Sequence, residues 1–295
     1  MDRRAYLLTA SALLLWSVLP LAAVWLAGLP VLVTTGIGLG LGGLLSAHRW
    51  REWEVPTPTR LVGVGGILGY HLLFFAAFRV GTDRLAVNLI NYLWPLLIVV
   101  LAPAILPRTA WSWRHSGAAL VGLAATLCAL GSRGLDLETL RSAPWLGYGL
   151  AGGAAVVWAC YSVLTKRLKP FPTVAVGGFC LVSGAIALVI AGLRGELVPA
   201  LADLGLREGL ILLALGLGPL GTAFFCWDAA LKRGDPRIIG VLAYANPILS
   251  TLWLILAGVG AVTWVLGLAL LLVITGAAIG TWPTGTRRKR RTSAG

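Results

Sequence analysis

A chain of 295 residues in which 58% of the side chains are hydrophobic and 12% are charged, with a mean hydropathy of +0.87, is composed for lipid rather than water. Apolar runs follow one another with only short polar links, each long enough for a hydrocarbon core that takes roughly 20 residues to cross, so no soluble catalytic domain fits between them. The formal net charge of +13 would suit a nucleic-acid partner only if the basic residues shared a solvent face, and they do not.

Taken in order, the runs predict spans at Tyr6 to Leu26, Pro30 to Ala47, Leu61 to Val80, Leu85 to Leu106, Ser116 to Gly131, Pro144 to Thr165, Thr173 to Leu193, Gly209 to Leu231, Arg237 to Ala257 and Ala261 to Thr281. The second and fifth are short and Gly-rich. Backbone groups stay paired in hydrocarbon only in a helix or a closed barrel, and continuous apolar runs lack the alternation of a barrel strand. The expectation is an all-α polytopic membrane protein of ten helices. The first span starts basic, like a signal peptide, but its apolar stretch is longer than such a leader carries, so it is expected to remain in the membrane.

With the first residue inside, the inner links hold Arg3, Arg4, Arg49, Arg51, Arg60, Arg108, Arg114, Lys166, Arg167, Lys169, Lys232, Arg233, Arg237 and the run Arg287 to Arg291. The outer links hold Arg79, Arg84, Arg133, Arg141, Arg194 and Arg207. This threefold excess predicts both termini in the cytoplasm of a bacterial inner membrane, with the basic tail against anionic lipid rather than nucleic acid. Cys128, Cys160, Cys180 and Cys226 fall within spans without CxxC spacing, which supports neither a disulfide framework nor a zinc site.

The chain repeats itself. Phe74 to Pro95 reads FFAAFRVGTDRLAVNLINYLWP and Phe224 to Pro247 reads FFCWDAALKRGDPRIIGVLAYANP. Each has an aromatic pair, a basic-Gly-acidic turn and a Tyr three residues before Pro. A weaker correspondence pairs Trp16 of the first span with Trp158 of the sixth. The halves are therefore 1–131 and 132–295. Five spans per half is odd, so the second half enters the membrane inverted, an arrangement common among secondary transporters with a midplane site between the halves.

Ten spans in two halves, with Asn91-Tyr92-Leu93-Trp94-Pro95 answering Tyr244-Ala245-Asn246-Pro247, resemble the drug/metabolite transporter superfamily, EamA type, over nearly the whole chain. Asn88 to Pro95 with Trp94, and His71 in the preceding span, most resemble its exporters of aromatic amino acids. The resemblance implies ten helices around a central cavity, alternating access, no cofactor, and an amino acid as the transported small molecule, carried by a monomer.

Counting about 1.5 Å per residue puts several polar and aromatic residues near mid-membrane: Trp16, Tyr70, His71, Asn91, Tyr92, Trp94, Pro95, Trp158 with Tyr161 in the stretch that follows, Tyr244, Asn246 and Pro247. Trp and Tyr ordinarily favour the interfaces, and their N–H and O–H groups need partners when buried. A wet cavity, a bound substrate or a neighbouring carbonyl would each supply them. Pro95 and Pro247 each free a carbonyl one turn earlier, so both helices are expected to kink or break there. His71 is the titratable group nearest the centre, open to three roles: donor to a substrate carboxylate, a ring that changes charge between the two facing states, or a neutral ring bonded to the helix. Asp228 has Lys232 four residues on, the spacing of a local ion pair.

Without an HExxH, P-loop or GxSxG motif, and with His48 and His115 at the membrane edges, an enzyme is not expected. The lack of a midplane acid disfavours cationic drugs and obligate proton exchange. The reading is a facilitative exporter of aromatic and other neutral amino acids. Two alternatives stay open: a sugar-nucleotide or organic-anion carrier, which should place a cation in the cavity, and a non-transporting structural membrane protein.

Overall fold

The computed structural model describes residues 2–80, 87, 90–107, 109–131, 145–258 and 264–282, and among them every regular element is helical. Asp2 starts α1 (Arg3–Ser17) by accepting from the Arg4 amide, and after a lapse at Val18 the chain continues as α2 (Leu19–Trp25), with Pro20 in the first turn. Helix α3 (Val31–Leu44) ends in a 3-10 turn (Ala47–Trp53) bent 86° from it. Helices α4 (Thr57–Val80), α5 (Trp94–Ile105) and α6 (Trp113–Gly131) follow.

From residue 145 the chain runs through α7 (Trp145–Arg167), α8 (Ala175–Leu193), the short α9 (Leu197–Ala202) and α10 (Leu206–Leu217). Helix α10 passes through a π-helical turn (Gly218–Thr222) into α11 (Ala223–Arg233). Next come α12 (Pro236–Ala243), α13 (Ala245–Leu256) and α14 (Trp264–Thr281).

Thr57–Ala77, Trp145–Arg167, Ala175–Leu193 and Leu206–Arg233 are each long and apolar enough to cross a membrane, and the bent pair at Val31–Trp53 makes a fifth candidate. The predicted first and ninth spans are interrupted helices, at Val18 and at Tyr244, while the eighth runs on through its π-helical turn. The fourth predicted span is helical again from Trp94, and its first residues, with the Gly81-Asp83-Arg84 turn and Asn88, lie outside the described residues, as do 132–144 and the basic tail.

Six helix contacts dominate the packing: α3 with α8, α4 with α7, α6 with α14, α1 with α11, α5 with α7, and α5 with α12. Glycine sets the α3–α8 distance, because a Cβ on Gly184 would stand 2.7 Å from the Gly36 carbonyl and the Gly40 amide nitrogen. Such small-residue seams let helices associate in lipid, where the hydrophobic effect gives no help. Gly184→Val should cost about 1–3 kcal/mol through forced separation of the helices. The expected result is a lower unfolding temperature of the purified protein; an unchanged one would mean the seam has room to spare.

Exposed tryptophans ring both ends of the bundle. Trp25, Trp145 and Trp264 sit at one set of helix ends and Trp50, Trp111, Trp113 and Trp282 at the other, the distribution of two interfacial belts. At the second end, basic side chains satisfy carbonyls left over by helix termini or links. Arg167 donates to Ile105 O at 3.2 Å, Arg237 to Ala110 O at 2.6 Å, Lys166 to Leu231 O at 3.0 Å, and Arg114 to Trp282 O. Asp235 caps α12 there; burial alone would raise its carboxyl, but the Arg237 guanidinium and backbone N–H outweigh burial and hold it below its ordinary value.

Candidate functional site

Trp16 of α1, Trp94 of α5, Trp158 of α7, and Phe224 and Trp227 of α11 belong to one buried cluster, with Tyr70 of α4 packed against it. Trp158 is its hub: its ring centroid lies 5.5 Å from Trp16, 5.3 Å from Tyr70, 5.2 Å from Tyr161, 5.7 Å from Phe224, 6.3 Å from Trp227 and 6.5 Å from Trp94. Most of these contacts are edge-on or tilted, the arrangement ring quadrupoles favour. Two indoles find partners across helices. Trp16 Nε1 donates to the Pro219 carbonyl at 3.0 Å, and Trp227 Nε1 donates to Ser162 Oγ at 3.1 Å. The first bond ends on the π-helical turn, an irregularity common at functional sites.

The helix interruptions adjoin this cluster. At Leu93 and at Tyr244 the backbone ladder tightens to bonds reaching three residues back, Leu93 N to Ile90 O at 3.1 Å and Tyr244 N to Val241 O at 3.3 Å. Pro95 and Pro247 have no amide hydrogen to offer Asn91 O and Ala243 O, the carbonyls four residues earlier. Asn91 Nδ2 donates to Tyr70 OH at 3.3 Å, and Asn246 Nδ2 makes a longer contact to Tyr92 OH at 3.5 Å. The other amide oxygens, Asn91 Oδ1 and Asn246 Oδ1, are buried with no partner among the described residues. Two acceptors therefore stand ready for donors, one beside each interruption.

His71 packs against Tyr70, Phe75 and Phe224, and its Nδ1 meets Ile67 O at 2.7 Å. A carbonyl only accepts, so the neutral ring carries its proton on Nδ1, and Nε2 is left as an acceptor. The ring is thus bonded to its own helix, one of the three arrangements open to it from sequence.

The predicted set is therefore brought together in part. Trp16, Tyr70, His71, Trp94, Trp158 and Tyr161 meet in one cluster, with Asn91 bonded to Tyr70. Pro95 opens α5, its carbonyl so close to Gly240 of α12 that a Cβ there would lie 2.8 Å away. Tyr92 and Asn246 meet each other across α5 and α13. Tyr244 goes elsewhere: it is buried in a second cluster with residues of α6 and α14, its ring packed against Gly122. Pro247 lies in α13, its carbonyl accepting from Ser250 Oγ at 2.9 Å. Phe224, Trp227, Ser162 and the Pro219 carbonyl join the site without having been singled out; the FFCW stretch was visible, but only as a repeat marker. A crevice of about 570 Å³ at the end of α5, lined by Pro103 to Pro107, Thr109, Ala110 and Arg167, includes none of these residues.

Comparisons with known proteins bear on the family of the chain. Residues 145–282 match the EamA-like transporter family. The chain is 38% identical over 288 residues to the aromatic amino acid exporter YddG of Ancylobacter novellus, covering 94% of this chain and 96% of that one. It is 28% identical to the YddG of Escherichia coli over 190 residues, covering 62% of this chain and 60% of the relative. A solved crystal structure superposes with a TM-score of 0.85 at 37% identity, across 95% of this chain and 98% of the other. The chain is accordingly a polytopic membrane transporter that belongs to the EamA-like family.

Proposed function

We propose that this protein exports amino acids, aromatic ones foremost, from the cytoplasm across a bacterial inner membrane by alternating access. The observation that carries this reading is the cluster of Trp16, Trp94, Trp158 and Trp227, drawn from four helices and both halves of the chain. A planar side chain inserted among these rings replaces aromatic contacts with aromatic contacts. The polar groups beside the rings, Asn91 Oδ1, Asn246 Oδ1 and the freed carbonyls, are acceptors, and acceptors suit the ammonium of an amino acid. A phosphorylated or anionic metabolite would need an unpaired cation, and among the described residues the cluster offers none.

The ten-helix inverted repeat of 1–131 and 132–295 is part of the proposal, supported by how the helices pair. Exchanging the halves turns the contact of α4 with α7 into that of α1 with α11, while α3–α8, α5–α12 and α6–α14 map onto themselves. A pseudo-two-fold axis in the membrane plane demands that pattern. Trp16 and Trp158, equivalent in the repeat, face each other across it at 5.5 Å. Both termini lie in the cytoplasm in this scheme, on the side where the basic ties between helix ends collect. One chain supplies both halves of the site, so the monomer is the transporting unit. Transport runs down the substrate gradient as the halves rock: among the described residues no carboxylate stands among the rings, Asp228 beside them is paired with Lys232, and the neutral His71 ring is bonded to its own helix.

A cellular test is direct. Cells producing the protein should tolerate a toxic aromatic analogue such as 4-fluorophenylalanine at higher concentration than cells without it, and should release tryptophan into the medium. Unchanged tolerance with no release, at verified membrane expression, would remove the proposal.

A further inference from the structure

One buried charge takes no part in the contacts among the rings. Asp228 follows Trp227 on α11 and is 1% exposed. Its Oδ2 accepts from Lys232 Nζ at 2.5 Å and from Thr173 Oγ1 at 2.7 Å, while Oδ1 is buried with no hydrogen-bond partner among the described residues. Lys232 also lies over the Phe171 ring at 3.7 Å. Phe171 and Trp227, the residue before Asp228, both belong to the aromatic cluster's buried core. The pair therefore sits beside the aromatic cluster, toward the end of α11 where Lys166 ties the helix termini.

A buried ion pair constrains what can open it. A ligand that takes one partner alone strands the other charge in a low dielectric, which is strongly unfavourable. A zwitterion replaces both partners at once and leaves the net charge at zero. Among small metabolites, an ammonium and a carboxylate on the same carbon meet that condition, and the open Oδ1 is a ready acceptor for the ammonium.

We propose that Asp228 and Lys232 form a loading subsite on the cytoplasmic side of the cluster, where the α-ammonium of an incoming amino acid binds Asp228 and its α-carboxylate binds Lys232. The inference rests on the amino-acid reading above and adds a place and a charge rule for recognition. Thr173 and Phe171 belong to the link between α7 and α8, so parting the ion pair also loosens that link from α11. Loading and opening of the inner end thereby become one event.

Calorimetric titration of the purified protein in detergent tests this with three ligands sharing one ring: tryptophan, tryptamine without the carboxylate, and indole-3-propionate without the ammonium. The wild-type protein should bind tryptophan at least about tenfold more tightly than either analogue. The uncharged double variant Asp228→Asn/Lys232→Gln should bind tryptophan about tenfold more weakly, with the analogues shifted by less than about threefold. Asp228→Glu/Lys232→Arg, which keeps both charges, should preserve the preference for tryptophan and guards against a neutral variant that fails to fold. Equal weakening of all three ligands, wild-type tryptophan affinity in the uncharged variant, or loss of the preference in the charge-conserving one would each overturn the subsite. Failure of the wild-type protein to bind any of the three would instead overturn the amino-acid reading, and the subsite with it.

Discussion

Trp158→Ala should raise the half-saturation concentration for tryptophan export about tenfold or more, because it removes the ring that six other aromatics touch, contacts worth about 0.5–1.5 kcal/mol each. Truncating a buried Trp also costs about 3–5 kcal/mol of stability. Flux is therefore to be measured per folded transporter in reconstituted liposomes, with unfolding temperature followed in parallel. Trp158→Phe separates the two effects: it keeps an aromatic face in the hub and should recover most of the lost affinity. If Trp158→Ala transports tryptophan with unchanged half-saturation, the cluster is packing and the binding site lies elsewhere.

The second large effect concerns rate. Pro95→Ala/Pro247→Ala supplies amide donors for the Asn91 and Ala243 carbonyls, so that each helix can run on through its interruption; both prolines stand in the first turns of α5 and α13, where Pro itself is tolerated. The double variant should unfold at a higher temperature, keep its half-saturation within about twofold, and turn over about tenfold or more slowly, as when a conformational step limits the cycle. A variant as fast as the wild-type protein would show that the interruptions are tolerated rather than used. The two predictions are independent in readout: the tryptophan variant acts on affinity and the proline variant on turnover.

Both predictions begin from features legible in the sequence. The Tyr-x-x-Pro repeat marked two helix positions where the ladder does tighten, since a missing amide hydrogen is a property of the residue and needs no tertiary context. The correspondence of Trp16 and Trp158 likewise led to two rings 5.5 Å apart. Tyr244 is the instructive exception. Depth along a span can be counted, but which neighbour a face meets depends on the bend, and the break before α13 leaves this ring against Gly122 of α6. Trp227 was hidden for a related reason. The π-helical turn at Gly218–Thr222 shifts every later residue of that span around the helix axis, and nothing in an apolar run announces a turn with five-residue bonds. Asp228 was read correctly as the partner of Lys232, yet its second oxygen, and the Thr173 hydroxyl on the first, appear only once α11 and the α7–α8 link are side by side.

Two alternatives meet the same physical objection. An anion carrier would bring an unbalanced Lys or Arg to the cluster, whereas Lys232 is matched by Asp228 in a pair of zero net charge and Lys166 is spent on helix-end carbonyls. A purely structural protein has no use for acceptors such as Asn91 Oδ1 and Asn246 Oδ1, since each buried unsatisfied group costs about 1–3 kcal/mol. A transporter recovers that cost each time a substrate supplies the donor.

Counterflow of labelled tryptophan into liposomes carrying the purified protein tests the central claim most directly. The account predicts uptake that saturates, requires no pH gradient and accelerates when unlabelled tryptophan is loaded inside, because a carrier returns faster when occupied. Uptake no greater than that of protein-free liposomes, with or without a gradient and for every aromatic amino acid tried, would contradict it.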